Sequence, residues 1–149
     1  MRAVVQRVKT ASVTVDAGVV GQIESGILVY LGVGAGDTEK DLDYLVNKVA
    51  GLRIFPDDNG NMNRSVVDTG GAALVISQFT LFGDVRRGKR PSFTDAMAPD
   101  MADAFYRQFC SRLQSTGIHT EMGQFGAMMD VASVNDGPVT ILLDSEKRF

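Results

Sequence analysis

Short apolar runs separated by glycine and polar turns recur through this chain, and they constrain its fold more than any other feature. The run at 27–33 (ILVYLGV) is almost unbroken, which predicts a strand buried on both faces. The other runs are rich in β-branched residues or alternate in polarity, as half-buried strands do. They predict further strands at 3–8, 12–15, 19–24, 53–55, 72–80, 119–122, 128–134 and 139–144.

Only two segments have the spacing of an amphipathic helix. The first follows Thr38, which can cap a helix, and repeats apolar residues at i, i+3, i+4 and i+7 from Leu42. The second begins at Pro99, repeats apolar residues every fourth position from Met101 and closes at Gly117. Two helices are too few for a doubly wound sheet. We therefore predict an α+β fold of about eight strands, with a mainly antiparallel sheet curled into a barrel-like core and flanked by two helices.

The bulk composition fits one globular domain spanning residues 1–149. Apolar residues make up 44% of the chain and charged residues 22%, which are ordinary proportions. A net charge of −3 argues against a surface that is basic throughout, although it leaves room for a local basic patch. We expect no signal peptide, since a strand-like run follows Met1 directly, and no membrane span. The single cysteine fits a reducing compartment, so a cytoplasmic location is expected.

Ionisable catalytic residues are scarce. Cys110 is the only cysteine and His119 the only histidine, and neither has neighbours at the spacing of metal ligands. We expect Cys110 to be a buried core residue and His119 to be structural, with no metal and no cofactor. Most carboxylate pairs fall in predicted loops or first helical turns, where acids cap and solvate. An enzyme with this inventory would depend on backbone groups, on hydroxyls or on the substrate itself.

Two short motifs could supply such groups. The segment 77–81 (SQFTL) ends an apolar run and offers two hydroxyls, an amide and an aromatic ring; a turn there can aim N–H groups at a developing oxyanion. The segment 135–140 (NDGPVT) places Gly137-Pro138 before a strand, where proline is unusual because it lacks an N–H. That pair can expose bare carbonyls and is a candidate for a cis bond. Alternatively, the hydroxyls satisfy local backbone groups and the Gly-Pro pair is a plain turn.

A basic loop directly follows the first motif. It contains Arg86, Arg87, Lys89 and Arg90 within five residues. Such a loop is either a solvated surface or a contact for phosphates, which arginine and lysine bind without reading sequence. Further on, Phe125 stands between two glycines, where it could stack on a base or belong to the core.

At these residues the whole chain closely resembles the D-aminoacyl-tRNA deacylases, a family of dimeric, barrel-like enzymes that proofread mischarged tRNA. The resemblance rests on five segments. They are MRAVVQRV at 1–8, SQFTLFG at 77–83, RPSF at 90–93, GQFGA at 123–127 with Met129, and NDGPVT at 135–140.

The resemblance implies hydrolysis of the ester between a D-amino acid, or glycine, and the 3′-terminal ribose of tRNA. Ser77, Gln78, Phe79 and Thr80 would line the catalytic pocket, with Ser77 and the Phe79 backbone near the aminoacyl group. Thr80 has been considered as a nucleophile in this family. The better-supported family picture uses backbone groups, assisted by the 2′-hydroxyl of the RNA.

The resemblance also implies a homodimer whose site is shared between subunits. Gly137 and Pro138, as a cis pair, would enter the partner's pocket and act as a chiral filter, with carbonyls that hold the ammonium and no room for an L side chain. Phe125 and Met129 would help to hold the terminal adenosine.

Two other functions stay open at this point. The chain could be a different hydrolase that uses Thr80 or Ser77 directly as a nucleophile. It could also be a module that binds the tRNA end or a nucleotide without turnover.

Overall fold

The sheet is organised around its first strand. In the computed structural model, which describes residues 1–149, β1 (Arg2–Val15) pairs antiparallel with three other strands. Its first half pairs with β3 (Gly26–Gly32), its second half with β2 (Gly18–Ile23), and both halves pair with β8 (Asp130–Asp144). The segments 3–8 and 12–15 are therefore one long strand and not two. The residues between them stay in the strand because they continue to pair with β8.

The remaining strands of this sheet are parallel. β6 (Ala72–Ser77) lies parallel to β3, and β7 (Thr120–Met122) lies parallel to β6. The sheet is thus mixed, because long connections that contain helices return the chain in the same direction. Its two ends approach each other: a side chain on Gly21 of β2 would lie 2.8 Å from the Met122 carbonyl oxygen of β7. This nearly closed, barrel-like sheet confirms the predicted α+β class.

Two long helices cover one face of the sheet, as the spacing of apolar residues predicted. They are α1 (Glu39–Gly51) and α3 (Pro99–Ser115). Asp41 in the first turn of α1 accepts a hydrogen bond from the Thr38 backbone N–H at 2.8 Å, which caps the helix. No helix of the structure is both long and apolar enough to cross a membrane.

Several short elements were missed from the sequence. β4 (Phe55–Pro56) and β5 (Met62–Arg64) form a small hairpin, where a strand at 53–55 and a polar loop were expected. A four-residue helix, α2 (Val66–Thr69), follows it. These elements carry too few apolar residues to show a period.

Buried side chains form two clusters, one on each face of the sheet. The larger lies between the sheet and the helices and includes Val29, Val75 and Phe109. The smaller fills the inside of the curled sheet and includes Leu28 and Leu74. β3 and β6 contribute alternate residues to both clusters, which confirms that the 27–33 run is buried on both faces. The connection after β6 therefore starts from a strand that is buried on both faces.

Candidate active site

The first motif forms a tight turn at the end of β6. The predicted strand 72–80 stops at Ser77, and Phe79–Phe82 form a single 3-10 turn. Gln78 N–H still donates to Leu31 O of β3 at 2.7 Å, and Leu81 N–H then donates back to Gln78 O at 3.2 Å. The neighbouring strand must approach closely, since a side chain on Gly32 would lie 3.0 Å from Gln78 O. The turn is thereby held against the end of β3.

A cleft of about 790 Å³ opens beside this turn. One wall is the turn, the second is the stretch from Phe93 into the start of α3, and the third is the segment 125–129. Its lining residues are Val33, Ile76, Ser77, Gln78, Phe79, Thr80, Phe93, Ala96, Met97, Ala98, Pro99, Ala102, Phe125, Gly126, Ala127, Met128, Met129 and Val131. None of these side chains carries a charge at neutral pH. The structure thus brings Ser77, Gln78, Phe79 and Thr80 together with Phe125 and Met129 in one cleft.

Tyr106, which sequence reasoning did not single out, holds the third wall of the cleft. Its hydroxyl donates to Val75 O of β6 at 2.8 Å and reaches Gly123 O at 3.3 Å. Burial raises the pKa of Tyr106, so the phenol remains a protonated donor. Its ring lies 6.0 Å from that of Phe125. Its spacing could have identified it: Tyr106 stands three residues before Phe109 on the apolar face of α3, and its hydroxyl is a polar group on that face.

The hydroxyls of the cleft have no base beside them. Thr80 Oγ1 accepts a hydrogen bond from the Gln78 side-chain amide and is exposed. His119 is also exposed, lies outside the cleft and contacts Glu121 at 2.9 Å. An activated serine or threonine needs a histidine or a similar base within hydrogen-bond reach. No side chain of this kind lines the cleft.

Cys110 is an inert core residue, as expected. Its side chain is buried in α3, and burial raises the pKa of its thiol to about 12. The reactive form of cysteine is the thiolate, which is scarce at neutral pH for such a group. Cys110 therefore supplies no nucleophile.

The second motif lies elsewhere on the chain. The pairing of β8 with β1 jumps from Thr140 opposite Gln6 to Asn135 opposite Val8, so residues 136–139 loop out of the strand. The segments 128–134 and 139–144, expected as two strands, are one strand with this excursion. The Gly137–Pro138 bond is cis, and both residues are exposed. Neither residue lines the cleft of its own chain.

Arg7 holds the excursion, a role that the sequence analysis did not assign to it. Its Nε donates to Asp136 O at 3.2 Å and pairs with the Asp136 carboxylate at 3.2 Å. Its Nη1 donates to Ile54 O at 2.5 Å. Within the excursion, Val139 N–H donates to the Asn135 side-chain oxygen at 3.1 Å. The Gly-Pro pair is therefore presented to the outside on a braced segment.

The basic loop is a closed excursion next to the cleft. Asp84 and Ser92 exchange two backbone hydrogen bonds of 2.8 and 2.9 Å, and the four basic residues lie between them. Arg86 pairs with Asp84 and holds the pKa of that carboxyl at about 2. The other three, Arg87, Lys89 and Arg90, are exposed and form no ion pair. Phe93, just after the loop, packs edge-on against Phe79 with ring centroids 5.0 Å apart.

Known proteins resemble this chain along almost its whole length. Residues 4–144 match a protein-family model described as D-Tyr-tRNA(Tyr) deacylase. A D-aminoacyl-tRNA deacylase of Desulfitobacterium hafniense (strain DSM 10664 / DCB-2) is 58% identical over 149 residues, which cover all of both chains. A D-aminoacyl-tRNA deacylase of Roseiflexus castenholzii (strain DSM 13941 / HLO8) is 61% identical over 145 residues, 97% of this chain and 92% of the relative.

Solved structures share the fold. One titled "c-Myc DNA Unwinding Element Binding Protein" is 43% identical and superposes with a TM-score of 0.91, covering 97% of this chain and 98% of the other. Another, described as a probable eukaryotic D-amino acid tRNA deacylase, is 18% identical, with a TM-score of 0.83 over 95% of this chain and 97% of the other.

Proposed function

This chain belongs to the D-Tyr-tRNA(Tyr) deacylase family, and we propose that it is a hydrolase that cleaves the ester between a D-amino acid and the 3′-terminal ribose of tRNA. The observation that carries the proposal is the uncharged cleft, in which the SQFT turn faces Phe125 and Met129. The cleft offers a flat aromatic and a thioether for the terminal adenosine, and backbone groups for the ester. It offers no ionisable nucleophile.

The backbone of the turn would stabilise the charge that develops on the ester. The N–H groups of Phe79 and Thr80 precede the first hydrogen bond of the 3-10 turn, so they are the groups that such a turn leaves free. Directed at the carbonyl oxygen, they would act as an oxyanion hole, where one donor is typically worth about 10²–10³ in rate. Ser77 and Gln78 complete the polar side of the pocket.

Water would be the nucleophile and the substrate would assist it. Water adds to the ester carbonyl carbon, the bond from that carbon to the ribose 3′ oxygen breaks, and the 3′ oxygen takes up a proton. The products are the free amino acid and tRNA with an intact 3′-hydroxyl. The neighbouring 2′-hydroxyl would position the water and relay its proton, since the protein supplies no base in the cleft.

A second copy of the chain would complete the site. Gly137 and Pro138 are exposed and lie outside their own cleft, and Val134 and Leu142 on the same strand are 53% and 57% exposed. Large apolar side chains that flank such a segment fit an interface with a second subunit. In a homodimer the Gly-Pro pair of one subunit would enter the cleft of the other.

The Gly-Pro pair would then select handedness. Carbonyl oxygens of Gly137 and Pro138 would accept hydrogen bonds from the substrate ammonium, and the same groups would collide with an L side chain. A D side chain points the other way and is tolerated whatever its size. Glycine has no side chain to reject, so glycyl-tRNA would also be hydrolysed.

The acidic protein would meet RNA through its basic loop. Arg87, Lys89 and Arg90 are free to contact phosphates beside the cleft. Aminoacylated tRNA is found where translation takes place, so we expect this enzyme to work in the cytoplasm.

The test compares D-tyrosyl-tRNA and L-tyrosyl-tRNA as substrates of the purified protein. We expect multiple turnovers on the D form and little hydrolysis of the L form. A substrate ending in 2′-deoxyadenosine should lose most of the rate, because the assisting hydroxyl is gone. Equal rates on both enantiomers would contradict the filter, and an unchanged rate on the deoxy substrate would contradict substrate assistance.

Binding of nucleic acid without turnover is the second candidate, and the exposed basic loop favours it. The 43%-identical structure is titled as a DNA unwinding element binding protein. Tight binding of uncharged tRNA or DNA together with no release of D-tyrosine would support this candidate over the hydrolase.

A further inference from the structure

A small polar pocket of about 220 Å³ adjoins the 3-10 turn at Phe82 and shares no lining residue with the cleft. Arg2, Phe82 and Asp144 are among the residues that line it, and none of the three lines the cleft. The guanidinium of Arg2 joins the end of β8 to the turn.

Arg2 contacts the turn at two points. Its Nη1 donates to the carbonyl oxygen of Leu81 at 2.8 Å, and its guanidinium carbon stands 4.5 Å from the centre of the Phe82 ring. The hydrogen bonds of the turn itself use the carbonyls of Gln78 and Thr80 and leave that of Leu81 free. Arg2 therefore satisfies a carbonyl that a short helix cannot satisfy alone.

The Arg2 side chain is itself fixed by an ion pair with Asp144. Its Nε pairs with Oδ2 of Asp144 at 3.3 Å, and that carboxylate is almost completely buried, with 2% of its side chain exposed. The other oxygen, Oδ1, accepts the Glu146 backbone N–H at 2.8 Å. A donor that is fixed at both ends places the turn more firmly than a free side chain does, and charge-assisted hydrogen bonds are the stronger kind.

We infer that Arg2 is a positioning residue for deacylation: it fixes the turn so that the Phe79 and Thr80 amides meet the ester carbonyl. This inference rests on the proposed function, in which those amides form the oxyanion hole. Arg2 touches no part of the cleft, so its effect must pass through the turn. A displacement of about 1 Å in a catalytic group can cost about 10²-fold in rate.

Arg148 provides a matched control. It lines the same pocket but pairs with Glu146 at 2.5 Å, and it forms no hydrogen bond to the turn. Arg148→Met removes one positive charge from the pocket and leaves the hold on Leu81 intact. Arg2→Lys keeps the charge and most of the stem but cannot reach Leu81 and Asp144 together, because its charge sits on one nitrogen.

The experiment measures kcat and KM on D-tyrosyl-tRNA for Arg2→Ala, Arg2→Lys and Arg148→Met. We expect kcat to fall by about 10- to 100-fold in both Arg2 variants, with KM and the preference for D over L nearly unchanged. Added ethylguanidinium should restore part of kcat in Arg2→Ala. Arg148→Met should behave as the unchanged protein does.

The inference would be overturned by an unchanged kcat in Arg2→Ala, by a loss confined to KM, or by an equal loss in Arg148→Met. Loss of kcat without rescue, accompanied by a lower melting temperature in Arg2→Lys as well, would show a general structural role and also overturn it. An unmodified protein that hydrolyses neither enantiomer would instead refute the proposed function itself.

Discussion

At the scale of single residues, the cleft contains hydroxyls that lack the partners a nucleophile needs. The Thr80 hydroxyl bonds only the Gln78 side-chain amide, and the one histidine lies outside the cleft. The residues that matter most by position, Arg7 and Tyr106, act on backbone carbonyls of other elements. In the proposed mechanism these side chains position the site, and backbone groups and the substrate carry out the chemistry.

Thr80→Ala is therefore expected to retain most of the deacylase activity, within a few-fold of the unchanged protein, since only a hydrogen bond worth about 1 kcal/mol is lost. Single-turnover rates on D-tyrosyl-tRNA measure this. Thr80→Ser serves as the control, because it keeps a hydroxyl. A loss of several orders of magnitude in the alanine variant alone would make Thr80 the nucleophile.

Pro138→Ala is expected to lower the preference for D over L by about tenfold or more, because alanine lacks the ring that fixes the backbone of this exposed residue and so the direction of the two carbonyls that would reject the L side chain. Arg7→Met should act in the same direction, since it removes the side chain that donates to both Asp136 O and Ile54 O and so ties the excursion to the rest of the chain. Rates on both tyrosyl-tRNA enantiomers give the ratio. An unchanged ratio in both variants would refute the filter.

At the scale of elements, the 3-10 turn and the basic loop lie beside the cleft. The 3-10 turn interrupts the line of β6, and the basic loop is closed at its base by Asp84 and Ser92 and tied to the turn through Phe93 and Phe79. A phosphate bound at the loop would therefore lie beside the cleft. The loop should affect how tRNA binds and leave the chemical step alone.

Replacing Arg87, Lys89 and Arg90 together by glutamine is expected to raise KM for tRNA and leave kcat nearly unchanged. The slope of log affinity against log salt should become shallower by about 0.7–0.9 for each phosphate that the loop no longer neutralises. Salt titrations of tRNA binding measure it. Lys40→Gln with Lys48→Gln, on α1, is the control for net charge; an equal effect there would assign the change to overall charge and not to the loop.

At the scale of the whole molecule, the two motifs of one chain do not meet. Gly137 and Pro138 lie outside the cleft that contains the SQFT turn. The strand that presents them pairs with β1 alone and exposes Val134 and Leu142. A site completed by a second copy explains both observations.

A mixed dimer tests this directly. One copy carries Ala127→Trp, which fills the cleft, and the other carries Pro138→Ala. The only open cleft then belongs to the Pro138→Ala copy, and a filter supplied by the partner would be intact. We expect the D preference of the unchanged protein in the mixed dimer, measured after purification with two different tags. A relaxed preference would show that each chain filters its own cleft.

The long elements could be predicted from the sequence, because their apolar residues form a repeated pattern, whereas the short elements could not. Both long helices and the doubly buried strand follow from spacing, because burial of one helix face or of both strand faces leaves a pattern in the sequence. The stop of β6 at Ser77 does not, since Phe79 and Leu81 continue the apolar alternation of the strand. The parallel pairing of β3, β6 and β7 does not follow from spacing either, because it depends on the direction in which the connections between these strands bring the chain back to the sheet.

The sequence alone determined the class of fold and the residues available for chemistry: many strands, two helices, one histidine, one cysteine, and two polar motifs beside apolar runs. Only the tertiary structure decided that the first motif meets Phe125 and Met129, that the second faces away on a segment braced by Arg7, and that Arg2 supports the turn. The reason is physical. Local patterns record whether a residue is buried, whereas contacts between residues distant in sequence depend on the register and curl of the sheet.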